Sequence, residues 1–129
     1  MDEKRIKVMV VEDSNLIVQR LYSILSEIHF IKSIAHAKNG DEAFTLMKLI
    51  NPELVLLDIK MPGINGIEVL KQIKVTHKDS RVVMLTNYPT MQYKELCLGL
   101  GADHFLDKST EFERIGEIIT SMKSTIPTC

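Results

Sequence analysis

The sequence predicts a doubly wound α/β domain, with five parallel strands in the order 2-1-3-4-5 and helices on both faces. Three observations carry this. Short β-branched runs alternate with amphipathic stripes five times along 129 residues. Three of those runs, Val8-Met9-Val10-Val11, Leu54-Val55-Leu56-Leu57 and Val82-Val83-Met84-Leu85, are continuously apolar, as strands buried on both faces must be. Right-handed crossovers, together with burial of all three apolar strands, favour the doubly wound arrangement and this strand order.

The elements follow in order. A first strand over Ile6–Val11 leads into a helix whose stripe is Ile17, Leu21, Ile24, Leu25 and Ile28. The second strand spans Ile31–Ala35, and its helix carries Ala43, Leu46, Met47 and Ile50. The third spans Leu54–Leu57 and precedes a helix striped by Ile67, Leu70 and Ile73; the fourth spans Arg81–Leu85, before a helix with Tyr93, Leu96, Cys97 and Leu100. The fifth, His104–Leu106, is short and leads to a last stripe of Phe112, Ile115, Ile119 and Met122. Spacings of three and four give each helix one core-facing side. Asn39 with Glu42, Asn65 with Glu68 and Thr110 with Glu113 fit helix starts in which a capping residue is followed three later by Glu. Gly99 and Gly101 punctuate the end of the fourth helix.

Composition removes several classes of function. With 16 Lys and Arg against 17 Asp and Glu, the formal net charge is −1, which argues against a generic electrostatic grip on nucleic acid. Hydrophobic residues make up 45% and charged residues 26%, the profile of an ordinary globular domain able to bury a core without disulfides. Cys97 and Cys129 are the only cysteines, so the expectation is reduced thiols in a cytoplasm. The apolar stretch after Met1–Arg5 is too short for a signal-peptide core, and no run approaches the roughly 18 apolar residues of a bilayer span. The reading is one soluble domain over residues 1–129, core about 6–123, with no effector domain in this chain. His29, His36, His77 and His104 are dispersed without metal-ligand spacing, so surface or packing roles are expected of them, and Cys97 is expected as core filler.

Open α/β sheets bind ligands beyond the carboxyl ends of their strands. There the chain places Glu12 and Asp13 after the first strand, Asp58 after the third, Thr86 after the fourth and Lys108 just after the fifth. Three carboxylates and one lysine sum to −3 + 1 = −2, a crowding that calls for a counter-cation. Hard oxygen donors suit Mg²⁺ (or Mn²⁺), which uses few protein carboxylates together with phosphate oxygens. A carboxylate beside such an ion can attack phosphorus and become an acyl phosphate, while the ion, Lys108 and a hydroxyl neutralise the phosphoryl oxygens.

At these residues the chain resembles the response-regulator receiver (CheY-like) family, a flavodoxin-like three-layer sandwich. The resemblance runs from Val8 to about Met122 and rests on Val10-Val11-Glu12-Asp13-Ser14, on Leu56-Leu57-Asp58-Ile59-Lys60-Met61-Pro62-Gly63-Ile64-Asn65-Gly66, on Leu85-Thr86, and on Gly101-Ala102-Asp103-His104-Phe105-Leu106-Asp107-Lys108. It implies that Asp58 accepts phosphate from the phosphohistidine of a sensor histidine kinase or histidine phosphotransfer protein. It implies Mg²⁺ ligands in Asp13, Asp58 and the Lys60 backbone carbonyl, with Glu12 acting through a bound water. Lys108 resembles the lysine that pairs with the phosphoryl group, and Thr86 and Phe105 the switch pair. Their motion would bias the face made by the fourth helix, fifth strand and fifth helix, the face of any phosphorylation-dependent dimer. The implied protein is a phosphoacceptor switch with at most slow self-dephosphorylation, a monomer or such a dimer, acting on an unidentified downstream protein without direct contact to nucleic acid or membrane.

Several positions depart from that pattern. Asn87 stands where relatives usually have a small residue, and is expected to crowd the mouth of the site. Lys60 and Tyr88 flank the path of hydrolytic water and are expected to set acyl-phosphate lifetime. Ser109 follows Lys108 where many relatives have proline; a trans bond is expected, since cis costs far more before serine. Leu16, off the stripe of the first helix, is expected to face a kinase helix. Two alternatives stay open at this point. One is a non-phosphorylated, receiver-like protein-binding module. The other is an aspartyl-nucleophile phosphohydrolase, disfavoured because Lys60 stands where such enzymes carry a second acid. No Gly-x-x-x-x-Gly-Lys-Ser/Thr motif occurs.

Overall fold

The computed structural model describes residues 5–124. Five strands form one parallel sheet in the order β2-β1-β3-β4-β5: β1 (Ile6–Val11), β2 (Ile31–Ala37), β3 (Leu54–Asp58), β4 (Arg81–Thr86) and β5 (His104–Asp107). The helices are α1 (Asn15–Leu25), α2 (Gly40–Ile50), α3 (Gly66–Thr76), α4 (Met91–Gly99) and α5 (Ile115–Ser121). Class and strand order are as the sequence reads. Cys129 lies outside the described residues.

The central strands alternate between two cores. Val8 and Val10 of β1 join Leu54, Leu56, Val83 and Leu85 beneath α1 and α5. Met9 and Val11 join Val55, Leu57, Val82 and Met84 beneath α2, α3 and α4. All of these side chains are buried, and each fully buried Val or Leu contributes roughly 1.5–3 kcal/mol relative to exposure. That explains why the three runs show no polar alternation.

Every strand except β1 reaches further than its apolar run. β3 ends on Asp58, β4 on Thr86 and β5 on Asp107, while β2 continues through His36 and Ala37. The ladder pairs Asp58 with Leu85 and Thr86 with Asp107, so polar residues take the last rungs, and these are the residues of the candidate site.

Asn39 and Asn65 cap their helices, accepting from Glu42 N–H at 2.9 Å and from Ile67 N–H at 2.9 Å. Ser14 and Thr90 do the same for α1 and α4. The Thr110–Glu113 start is not formed. A 3-10 turn over Phe112–Arg114 precedes α5, with no side-chain cap. Competing local bonds explain it: Asp107 Oδ1 accepts from both the Ser109 N–H (2.8 Å) and hydroxyl (2.7 Å), and Glu111 Oε1 accepts from Asp107 N–H (3.1 Å). Leu96 is the second correction. It is 45% exposed, with Leu98 beside it at 41%; Tyr93 and Cys97 of that helix, with Leu100 just after it, pack against the core. Among the described residues no peptide bond is cis, so Lys108–Ser109 is trans.

Candidate functional site

Parallel register builds the site. Val11 pairs with Leu57, so Glu12 emerges beside Asp58, one rung beyond. Leu85 pairs with Asp58 and Asp107 with Thr86, and the Lys108 N–H bonds the Thr86 carbonyl at 2.9 Å. Four strand ends thus deliver Glu12, Asp58, Thr86 and Lys108 to one edge, all of them buried. Asp13 stands beside them, exposed.

Two backbone devices hold Asp58 in place. Gly66, the first residue of α3, lies against the end of β3: a Cβ there would come within 1.9 Å of the Asp58 carbonyl oxygen. Its N–H bonds Ile59 O at 2.8 Å, closing the loop between. Gly63 in that loop has φ +77°, a conformation that costs glycine nothing.

Lys108 Nζ lies 2.6 Å from Glu12 Oε1 and 3.1 Å from Asp58 Oδ2. Glu12 Oε2 accepts from Ser14 N–H at 3.1 Å. Burial and the neighbouring Glu12 charge push the Asp58 carboxyl up to about 6, against the opposing pull of Lys108 and of the Lys60 N–H. Glu12 Oε1 meets Lys108 as a charge contact and is otherwise without a hydrogen-bond partner, so this buried oxygen keeps a lone pair to offer. Carboxylate oxygens from Glu12, Asp13 and Asp58 lie within 4.8 Å of one another. An all-oxygen, net-acidic donor set with an unfilled buried acceptor fits a hard divalent cation such as Mg²⁺.

Thr86 Oγ1 accepts the Tyr88 N–H at 2.9 Å, which leaves its own O–H to donate. Thr86 and Met84 share a face of β4 by strand alternation; Met84 pairs with Phe105, and Phe105 is half-buried against the same core. Thr86 and Phe105 therefore project to the α4 side of the sheet. Asn87 and Tyr88 are exposed at the mouth.

Lys60 leans sideways. Its ammonium is 5.4 Å from the centroid of Tyr88 and 5.6 Å from that of Tyr93, and Tyr93 above all raises its pKa, through a side-chain hydrogen bond. Sequence reasoning placed Tyr93 only in the core stripe. It also read His36 as surface or packing, whereas His36 Nε2 bonds the Glu12 carbonyl at 2.8 Å and steadies the acidic turn. The available signal was that His36 sits near the carboxyl end of β2.

The comparisons agree with this geometry. Residues 8–120 match the family model of the response regulator receiver domain. The sensory transduction protein LytT of Oceanobacillus iheyensis is 31% identical over 96% of this chain and 50% of its own length. The protein-glutamate methylesterase/protein-glutamine glutaminase of Methanococcus maripaludis is 37% identical over 89% of this chain and 33% of its own. The chain thus spans half or less of these curated relatives. Among solved structures, the response regulator domain of Thermotoga maritima CheB superposes with a TM-score of 0.81 at 28% identity, covering 95% of this chain and 96% of that one. A LuxR-family DNA-binding response regulator from Staphylococcus aureus gives 0.82 at 28% identity, covering 92% and 98%. Family match, solved relatives and the acidic strand-end site converge: the chain belongs to the response regulator receiver domain family of two-component signalling.

Proposed function

We propose that Asp58 is the phosphoacceptor, taking phosphate from the phosphohistidine of a sensor kinase or histidine phosphotransfer protein. The supporting observation is a buried carboxylate on the last rung of β3, 3.1 Å from the Lys108 ammonium and grouped with Glu12 and Asp13. An Asp58 oxygen attacks phosphorus, the phosphorus–nitrogen bond breaks, and the histidine nitrogen leaves with its electron pair. Asp13, Asp58 and the Lys60 carbonyl would hold Mg²⁺, with Glu12 reaching it through water. When bound, the cation offsets charge on the phosphoryl oxygens. Lys108 supplies a second positive charge to those oxygens. Thr86 donates its hydroxyl proton to one of them, a charge-assisted bond stronger than the one it accepts from Tyr88 N–H.

That inward movement of Thr86 gives up the Tyr88 bond and opens space for the Phe105 ring. The switch biases the α4–β5–α5 face, where Tyr88, Met91, Leu96 and Leu98 are exposed, toward a downstream protein or a second copy. Leu16, 67% exposed at the start of α1, is assigned to the kinase contact. We further assign residues 1–129 to one receiver unit working in the cytoplasm. Among the described residues no helix is long and apolar enough to cross a membrane.

The test is incubation with acetyl phosphate, with and without Mg²⁺, followed by intact mass. A phosphate adduct that needs Mg²⁺ and disappears in Asp58→Asn is the expected result. No adduct on folded protein would favour the binding module, and steady phosphate release from many small esters the phosphohydrolase.

A further inference from the structure

We infer that Tyr93, with Tyr88, is a positioning residue that parks the Lys60 ammonium on the α4 side of the site, keeping it clear of the acidic cluster so that the cluster can take a divalent cation. This rests on the reading of Glu12, Asp13 and Asp58 as the cation site.

Lys60 is only two residues beyond Asp58 in the chain. An exposed ammonium on a flexible stem so close to a cluster of formal charge −3 + 1 = −2 would be drawn into it. Instead the ammonium lies over two aromatic faces, 5.4 Å from Tyr88 and 5.6 Å from Tyr93, within the roughly 6 Å at which a ring quadrupole attracts a cation.

Both rings are held by their backbones. Tyr88 N–H bonds Thr86 Oγ1 at 2.9 Å and Thr90 N–H bonds the Tyr88 carbonyl at 2.8 Å. Thr90 Oγ1 caps α4 by accepting from Tyr93 N–H at 3.1 Å. The holder therefore comes from the β4–α4 connection and the first turn of α4, while Glu12 follows β1 on the other side of β3. Released, Lys60 becomes a tethered cation that competes with the divalent ion for the same carboxylates.

The test is Mn²⁺ binding to the full chain, read as loss of the free-ion signal in electron paramagnetic resonance. At low salt, Tyr88→Leu/Tyr93→Leu is expected to bind Mn²⁺ about three- to tenfold more weakly than the parent, and the gap closes in 0.5 M salt. Tyr93→Phe keeps the ring face but loses the phenol hydroxyl, so it falls between the parent and Tyr93→Leu. In a Lys60→Met background the tyrosine substitutions have no effect, which a merely structural role of Tyr93 would not produce. The ε-methylene protons of Lys60 supply a second readout: they are shifted upfield by the rings in the parent and return to ordinary values in the double variant. Equal Mn²⁺ affinity in parent and double variant overturns the inference, as does a loss that persists without Lys60. A folded parent that binds no Mn²⁺ overturns the cation-site reading itself, and this inference with it.

Discussion

Replacing Asp58 by Asn is expected to stabilise the metal-free protein at neutral pH, even though it removes a partner of Lys108. The Asp58 carboxyl rises from its ordinary 3.8 to about 6 in the folded chain. At about 1.4 kcal/mol for each pH unit, keeping it ionised in the fold costs about 3 kcal/mol. The sign is that of a raised acid: its stabilising contribution is complete below pH 3.8 and falls as pH rises through the window to about 6. Above that window the full cost persists. Lys108 does not lose its role on substitution, because Glu12 Oε1 remains 2.6 Å away. The assay is urea unfolding in EDTA, followed by far-UV circular dichroism from pH 4.5 to 7.5. The stability difference between Asp58→Asn and parent should grow by about 2 kcal/mol across that range and favour the variant at pH 7.5. Taking the difference cancels histidines and other groups common to both. Adding Mg²⁺ should then raise the parent and leave the variant nearly unmoved. A difference that is flat with pH, or a variant less stable at pH 7.5, would refute the electrostatic account of the site.

Other substitutions probe other parts of the same edge. Lys108→Met leaves Glu12 and Asp58 buried without their cation and should cost about 3 kcal/mol in EDTA at pH 7.5, part of it recovered by Mg²⁺; urea melts with and without the metal check it. Gly66→Ala drives a methyl group into the Asp58 backbone carbonyl and should cost about 2–3 kcal/mol in the same melts. Asn65→Ala removes the acceptor for Ile67 and Glu68 N–H and should cost about 1 kcal/mol. Asn87→Ala should speed phosphorylation by acetyl phosphate by uncrowding the mouth, and an unchanged rate would remove that role.

What could be read from the sequence was what depends on burial. Three strands packed on both faces leave continuous apolar runs, so Asp58 and Thr86 were legible as the polar residues at which β3 and β4 stop being apolar. Glu12, Asp13 and Lys108 followed from the rule that parallel strands end at one edge. What escaped depends on choices between competing local partners. Thr110 and Glu113 have the spacing of a helix start, but Asp107 and Glu111 take the neighbouring donors first. Leu96 has helical spacing too, yet a nine-residue helix resting on Tyr93, Cys97 and Leu100 turns it outward. The direction of the Lys60 side chain was unreadable for a further reason: two rings from a segment some thirty residues on decide it.

The loop from Ile59 to Gly66 is pinned at both ends, by the Gly66–Ile59 hydrogen bond and by the contact of Gly66 with the Asp58 carbonyl, while its tip at Pro62 and Gly63 is exposed and the Gly63 position opens onto space. For protein engineering this makes it a bracket with a free apex. A tag or sensor peptide spliced between Pro62 and Gly63 adds little closure entropy and leaves both anchors in register, whereas one added residue at Ile59 or Asn65 would pull α3 off the strand end. A reporter could therefore be seated beside the acidic cluster without being built into it.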